Sequence, residues 1–341
     1  MRRLRHACIA FALLIGCAGA AGIEPSARLD GFNIVAATGY PFGGAPAARA
    51  IAHAKTLGAG AMAVVPFLWQ EKPSSGAVAR GNDMPDGELR GAIRQIRAQG
   101  MRAVVKPHVW VPQSWAGAVA PRSETDWQHW FAGYERALVR LAQVAAEEKA
   151  YALSLGTELR LTVQRPEWGP LIGKLRAAFP GLLFYVAHNV EGAERVTFWP
   201  ALDAIGVSLY PALGADGDSG ARKEAIAAVT ARIDALAQRY GKPVIVGEVG
   251  LRSAEGAAAK PWQSAEERAA APDPLLQADV LADWLRALDR PSVRGVLVWR
   301  WLSDPDAGGL KDTDFTVQGK PAEAVVRCVW TGACANAMAP R

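Results

Sequence analysis

The chain has 341 residues, of which 50% are hydrophobic and 21% are charged. These values are close to average soluble usage and exclude a disordered or fibrous chain. The formal net charge is +5, but Arg2, Arg3 and Arg5 contribute three of these charges, and without them the charge is +2. A basic balance confined to one end of the chain does not indicate a protein that binds nucleic acid.

The segment 1–21 has the pattern of a secretory signal peptide. A basic start is followed by the apolar run 7–15, which is too short to span a bilayer with a margin, and then by small residues. Two cleavage sites stay open: the run 18–20 fits an ordinary A-x-A site, and the run 14–17 resembles a bacterial lipobox that would lipidate Cys17. We expect an exported bacterial protein, whether periplasmic, secreted or an outer-membrane lipoprotein, with a membrane contact only through that lipid.

The four cysteines fall into two pairs. Cys8 and Cys17 belong to the signal segment, whereas Cys328 and Cys334 lie near the end of the folded part. An even pair in an oxidising compartment predicts a disulfide that closes a small loop. A zinc site is not expected, because two cysteines without nearby histidines cannot complete a tetrahedral shell.

Short apolar runs alternate with longer segments of helical periodicity along the chain. The predicted strands are 31–36, 61–67, 102–106, 152–156, 182–187, 204–209, 243–247 and 294–299. The predicted helices are 46–57, 87–98, 125–149, 168–179, 221–240 and 275–288. The link between the fifth and sixth strands is poor in helix, with at most a turn or two at 196–202.

Eight strands with crossover segments imply a parallel sheet, and eight is the number that closes a (β/α)8 TIM barrel. An open, doubly wound sheet is the alternative, but no G-x-G-x-x-G follows the first strand. No linker interrupts the chain, so we predict one α/β barrel domain over residues 28–334. The segment 253–274 is too long for a simple connection and is expected to be a loop that shapes the site.

Two glutamates follow predicted strands that end in glycine. Glu158 comes shortly after Gly156 on the fourth strand, and Glu248 comes directly after Gly247 on the seventh. Barrel active sites lie at the C-terminal ends of the strands, and these two strands lie on opposite sides of the ring. Each glutamate alone is equally compatible with a helix cap or an arginine partner. Together they favour glycoside hydrolysis, which needs one carboxyl to protonate the leaving oxygen and another to attack the anomeric carbon.

Other strand ends carry candidate supporting residues. Tyr210 ends the sixth strand, and its hydroxyl is expected to keep the Glu248 carboxylate ionised. His108 and Asn189 are expected to contact a sugar, whereas the role of His188 stays open. A metal site is disfavoured because the chain has no H-x-H or H-E-x-x-H pairing.

The chain has 12 tryptophans, and an aromatic face suits the axial C–H groups of a sugar ring. Trp299 and Trp301 alternate on the eighth strand, so both are expected to face the barrel interior or its mouth. We expect one of them to be a sugar platform and the other to fill the core. Three loop residues are weaker candidates for further subsites: Trp69, Trp110 and Trp262.

The sequence around these residues resembles glycoside hydrolase family 113, in the large clan of retaining barrel glycosidases. The resemblance covers most of the chain after the signal segment. The motifs that carry it are Gly156-Thr157-Glu158-Leu159, Gly247-Glu248-Val249-Gly250, Lys106-Pro107-His108-Val109-Trp110, Trp127/Trp130-Phe131/Tyr134, Phe198-Trp199, Asp203-Ala204-Ile205-Gly206, Gly256-Ala257, Pro261-Trp262 and Gly319-Lys320-Pro321-Ala322.

The resemblance implies a retaining mechanism on β-mannan-type substrates, with no cofactor or metal. It makes Glu158 the acid/base and Glu248 the nucleophile, and it places Thr157 where most of the clan has asparagine. We expect burial and the charge of Glu248 to raise the pKa of Glu158. An endo-β-1,4-mannanase is the specific expectation. A glycosidase of the same fold acting on another β-glycan, such as a bacterial exopolysaccharide, and a non-catalytic glycan-binding barrel are the alternatives.

Overall fold

A computed structural model describes residues 28–334, and the predicted signal segment with Cys17 lies outside them. Eight parallel strands form a closed barrel, and each is followed along the chain by a helix. The strands are β1 (Gly31–Val35), β2 (Ala61–Val64), β3 (Arg102–Val105), β4 (Ala152–Thr157), β5 (Leu182–His188), β6 (Ala204–Leu209), β7 (Val244–Val249) and β8 (Val293–Leu302). The helices are α1 (Ala45–Thr56), α2 (Asp86–Ala98), α3 (Glu124–Glu147), α4 (Trp168–Ala178), α5 (Asn189–Arg195), α6 (Ser219–Tyr240), α7 (Pro274–Ala287) and α8 (Ala322–Thr331).

The strands neighbour one another in chain order, and β8 closes the ring by pairing in parallel with β1. The predicted (β/α)8 barrel is therefore confirmed. The predicted strands all exist, and their ends differ by a few residues. The largest differences are three residues: β8 continues to Leu302 beyond the predicted end at 299, and β2 ends at Val64 before the predicted end at 67.

Two apolar cores explain why the barrel closes. Along β2, Ala61 and Ala63 belong to the cluster inside the barrel, whereas Met62 and Val64 pack between the strands and the helices. This alternation follows from the period of two along a strand. Small side chains inside and larger ones outside suit a narrow ring surrounded by a wider helical layer.

The link between β5 and β6 contains a helix that the sequence analysis did not predict. Helix α5 begins at Asn189, directly after β5, and buries Val190 and Ala193. A short 3-10 turn, Trp199–Ala201, follows it. Seven residues make only two turns, and such a short segment shows no apolar periodicity that distinguishes it from a loop.

A small three-stranded sheet extends the wall above the barrel. Its strands are Phe67–Trp69, Ala79–Arg80 and His108–Trp110. The predicted second strand therefore breaks into two, because Pro66 has no N–H for the sheet ladder. In the new register Trp69 lies beside Trp110, with ring centroids 6.2 Å apart.

The C-terminal part of the described chain is closed by a disulfide. Cys328 on α8 is bonded to Cys334, as the cysteine pairing predicts. Between residues 28 and 334, none of the helices is long and apolar enough to cross a membrane.

Candidate active site

Glycines at the ends of two strands determine where the two glutamates lie. A Cβ at Gly156 would lie 2.4 Å from the hydroxyl oxygen of Tyr134, and a Cβ at Gly247 would lie 2.5 Å from a methyl of Val186. Only glycine fits at either position without displacing its neighbour. Glu158 then takes a left-handed backbone conformation, with φ of 58°. Its N–H donates to the carbonyl of Val186 at 2.7 Å, which fixes the turn out of β4.

Glu248 is buried within β7, where its carboxylate contacts one cation and one hydroxyl group. Its Oε1 forms an ion pair with the ammonium of Lys106, which is fully buried just beyond β3. The hydroxyl of Tyr210 donates to its Oε2 at 3.4 Å, so the predicted contact between these two residues is present. Burial, together with the charges of Glu248 and Glu158, raises the pKa of Tyr210, which keeps its hydroxyl protonated as a donor.

Lys106 is a site residue that the sequence analysis did not assign. The signal was available, because Lys106 opens the Lys106-Pro107-His108 motif directly after a predicted strand. A lysine at a strand end is rarely buried unless it has a charged partner, and that partner lies 142 positions away along the chain.

Glu158 accepts hydrogen bonds from two neighbouring strands. His188 Nδ1 lies 3.0 Å from its Oε1, and the Ser208 hydroxyl donates to the same oxygen. Burial raises the pKa of Glu158, but the hydrogen bonds from His188 and Ser208 and the electrostatic interactions with His188 and His108 lower it by more. The pKa of Glu158 is thus lowered, contrary to the expectation that it is raised. The sequence analysis assigned no role to Ser208.

Asn189 is bonded within the protein, although it was predicted to contact a sugar. Its side-chain oxygen accepts the N–H of Tyr210 at 2.9 Å, and its amide nitrogen lies 3.3 Å from His188 Nε2. Its backbone is left-handed, with φ of 52°. Trp115, which the sequence analysis did not single out, packs on the His188 ring with centroids 4.6 Å apart. The Trp115 ring is partly exposed and lies 5.6 Å from the guanidinium of Arg160.

Two buried polar side chains support the floor of the site. The Thr157 hydroxyl donates to the carbonyl of Pro107 at 3.2 Å, which joins the ends of β4 and β3. The Asn33 amide on β1 donates to the carbonyls of Gly247 and Leu297 at 3.0 and 3.1 Å. These bonds hold the strand ends, and thus both carboxylates, in fixed relative positions.

The tryptophans of β8 have different surroundings. Trp299 lies beside the buried ion pair, with its ring centre 5.4 Å from the Lys106 ammonium, and is only partly buried. Trp301 is fully buried, and its Nε1 donates to the Ala50 carbonyl of α1 at 3.0 Å. The expectation that Trp301 faces the barrel interior or mouth is therefore wrong, since it fills the core between β8 and α1. Of these two tryptophans, Trp299 is therefore the candidate for a sugar platform in the cleft.

The remaining predicted site residues lie on the rim. His108 is half-buried on the small sheet, close enough for its charge to act on Glu158. The loop tryptophans Trp69, Trp110 and Trp262 are all exposed. Trp262 lies on the long loop after β7, which is anchored by the buried Arg252 through carbonyls of Ser264 and Arg268. Among residues 28–334 no group of three or more His, Cys, Asp or Glu side chains is arranged to hold a metal.

A closed parallel barrel with carboxylates at the ends of its fourth and seventh strands defines the class of barrel glycoside hydrolases. The sequence profile of glycoside hydrolase family 113 matches residues 31–320. The chain belongs to this family, and the resemblance noted from its motifs is confirmed.

Solved structures agree with this assignment. The GH113 β-mannanase AaManA from Alicyclobacillus acidocaldarius, in complex with ManMIm, is 23% identical with a TM-score of 0.79, and the match covers 90% of this chain and 98% of that one. A GH113 β-1,4-mannanase in a complex structure is 25% identical with a TM-score of 0.79, over 89% and 99% of the two chains. A β-glucuronidase from Ruminococcus gnavus shares the fold at 13% identity and a TM-score of 0.61, over 89% of this chain and 50% of that one. Among curated proteins, none matches the chain significantly.

Proposed function

We propose that this glycoside hydrolase is a retaining endo-β-1,4-mannanase that works by double displacement. The observation that carries the mechanism is the unequal surroundings of the two carboxylates. The Glu248 carboxylate contacts the buried Lys106 ammonium and the Tyr210 hydroxyl, whereas the Glu158 carboxylate contacts the side chains of His188 and Ser208. Two carboxyl groups at one cleft with different partners can take the separate roles of acid/base and nucleophile.

In the first step Glu248 attacks the anomeric carbon and forms a glycosyl ester, while Glu158 gives its proton to the leaving oxygen. In the second step Glu158 takes a proton from water, and the resulting hydroxide displaces Glu248 from the sugar. The Tyr210 hydroxyl holds the Glu248 oxygen that does not contact Lys106, which orients the carboxylate for attack. Trp299 lies beside the Lys106 ammonium that contacts this carboxylate, and it supplies the platform for the sugar ring that reacts.

The substrate class rests on the family and on the solved relatives. Two of these are described as β-mannanases, and the matches cover nearly the whole of both chains. The exposed pair Trp69 and Trp110 on the small sheet supports a polymeric substrate, because it offers aromatic surface beyond the reacting ring. We further propose that the protein is exported through its N-terminal segment, either by ordinary cleavage at the run 18–20 or with lipidation at Cys17.

Substitution of each carboxylate tests the mechanism. Glu248→Gln should abolish turnover on every substrate. Glu158→Gln should still react in the first step with aryl glycosides whose leaving group needs no proton, and azide should then rescue it and give the β-glycosyl azide. An α-azide product, or full activity of the Glu248 variant, would show that the roles or the mechanism are wrong.

A panel of β-linked glycans tests the substrate. Cleavage of β-1,4-mannan to a ladder of oligosaccharides supports the proposal, whereas cleavage of another β-glycan alone overturns the mannanase assignment. Binding without cleavage, equal in the wild type and Glu248→Gln, would identify a glycan-binding barrel. Cys17→Ser should move the protein from the membrane fraction to the soluble fraction. Unchanged fractionation would overturn the lipid anchor.

A further inference from the structure

A chain of hydrogen bonds reaches Glu158 from the backbone at the end of β6. The N–H of Tyr210 donates to Asn189 Oδ1 at 2.9 Å. Asn189 Nδ2 lies 3.3 Å from His188 Nε2, and His188 Nδ1 lies 3.0 Å from Glu158 Oε1. Each hydrogen bond in this chain restricts the next one, because a donor on one side chain must face an acceptor on its neighbour.

The direction of the chain follows from its first bond. A backbone N–H is always a donor, so the atom of Asn189 that faces Tyr210 must be the amide oxygen. The NH₂ group of Asn189 then faces His188 Nε2, and it can act only as a hydrogen-bond donor. A nitrogen that receives such a donor must itself be unprotonated, which leaves the imidazole proton on Nδ1, where it points at Glu158.

We propose that Asn189 is a positioning residue that holds His188 as a neutral imidazole with its proton on Nδ1, so that Glu158 receives an uncharged hydrogen bond. An imidazolium would direct Nε2–H at the NH₂ group of Asn189, and two donors would then face each other in a partly buried place. This costs the free energy of an unmade hydrogen bond and disfavours the charged form. The proposal rests on the proposed function only where it takes Glu158 as the acid/base.

The charge of His188 matters because Glu158 has to carry a proton into the first step. A positive charge on His188 would lower the pKa of Glu158, while burial raises it. Without that charge, the pKa-raising effect of burial is offset less. The carboxyl of Glu158 then stays protonated to a higher pH. Asn189 thus extends the pH range over which Glu158 can donate its proton to the leaving oxygen.

Several other groups surround the histidine and its carboxylate. The Trp115 ring covers one face of His188, and the Ser208 hydroxyl shares the Glu158 oxygen with it. The titratable and charged groups that face this pair from the neighbouring elements are His108 after β3, Arg160 after β4, Tyr185 on β5, Tyr210 after β6 and Glu248 on β7. Asn189 differs from all of these, because its amide lies at the Nε2 edge of the ring.

The variant Asn189→Asp reverses the hydrogen-bonding requirement with little change in shape. Aspartate tolerates the left-handed backbone of this position, as asparagine does. Its carboxylate accepts where the amide donated, so His188 should become an imidazolium. The second variant, Asn189→Gly, also accepts the backbone conformation and removes the amide without adding a charge.

Nuclear magnetic resonance of the protein labelled with ¹⁵N-histidine reads the tautomer directly, with His188→Gln to assign the signal. At neutral pH the wild type should show a neutral His188 protonated on Nδ1, and Asn189→Asp should show the imidazolium. Glu191→Gln is the control, because this exposed residue of the same helix pairs with Arg232 and undergoes the reverse exchange, from a carboxylate to an amide. It should leave the His188 signal unchanged.

Kinetics provide the second readout. In Asn189→Asp the basic limb of kcat/KM should move about one pH unit lower for a substrate with a poor leaving group, which is about a tenfold loss above that limb. A substrate with a good leaving group should be affected much less. The double variant Asn189→Asp with His188→Gln should show the same basic limb as His188→Gln alone, because the titrating ring is gone.

The outcomes separate the two proposals. A wild-type His188 that is charged at neutral pH, or protonated on Nε2, overturns the role of Asn189 whatever the activity of the enzyme. An unchanged His188 signal in both Asn189 variants overturns it as well. Full activity of Glu248→Gln overturns the proposed function and leaves the tautomer result standing.

Discussion

Replacing Lys106 with methionine should remove the ammonium that pairs with the buried Glu248 carboxylate. Both side chains of this pair are almost fully buried, so solvent screens their interaction little. Two unit charges about 4 Å apart at an effective dielectric constant of about 20 interact by about 4 kcal/mol.

The expected result is a shift of the acid limb of kcat/KM to higher pH, because a buried carboxylate without a neighbouring cation is harder to ionise. In the variant the carboxylate takes up a proton that it needs to lose before it can attack. The loss of kcat/KM should therefore be largest at the acid end of the pH profile and much smaller at the basic end. The assay is the pH profile of kcat/KM on an aryl β-glycoside with a good leaving group.

Lys320→Met is the matched control. Lys320 is also a buried lysine with a carboxylate partner, Asp312, but this pair lies under the loops after β7 and β8. Loss of one partner of a buried pair costs about 3–5 kcal/mol of stability, so both variants should unfold at lower denaturant concentration. Only Lys106→Met should move the acid limb. A folded Lys106→Met enzyme with the wild-type acid limb would refute the reasoning that this ammonium keeps the nucleophile ionised.

Three further predictions concern stability and the cleft. Burial raises the pKa of Tyr134, so its contribution to stability is complete below about pH 10 and is lost as the pH rises further; denaturant unfolding should show a decline of up to about 1.4 kcal/mol per pH unit there, which Tyr134→Phe removes. Replacing Cys328 and Cys334 with serine should lower the free energy of unfolding by about 2 kcal/mol, the chain-entropy value for so short a loop, and leave kcat/KM unchanged. Trp301→Ala should cost about 3–5 kcal/mol of stability, whereas Trp299→Ala should lower kcat/KM with little change in thermal unfolding.

The barrel itself was predictable because its signals are local. A strand such as β6 is a short run of apolar residues between polar segments, and its predicted bounds agree with the structure. Eight such runs with crossovers leave few topologies open. Helix α5 was missed for the same reason, since its seven residues carry too little local pattern.

Site contacts depend on which strand positions face each other, and that register is not written locally. Glu158 and Glu248 were found because each follows a glycine at a strand end. Their partners Lys106 and Ser208 lie 142 and 50 positions away along the chain. From the sequence, these partners could be assigned to predicted strands or their ends, but not to the carboxylate that each one contacts.

The irregular registers of the barrel explain both where the two glutamates lie and the error with Trp301. In β4 an extra residue lies between Ser154 and Thr157 relative to β5, and in β7 one lies between Val246 and Glu248 relative to β6. In β8 an extra residue lies between Val298 and Trp301 relative to β1.

An extra residue in one strand shifts every later side chain to the other face and bends the chain locally. Strict alternation therefore fails at the end of β8, where Trp299 and Trp301 no longer share a face. In β4 and β7 the extra residues fall at Gly156 and Gly247, where a Cβ would clash. The glycine before each glutamate is thus the sequence signal of a bulge, and the bulge aims the carboxylate into the cleft. Asn33 donates to the Gly247 carbonyl, so the irregular backbone of β7 is not left without a partner.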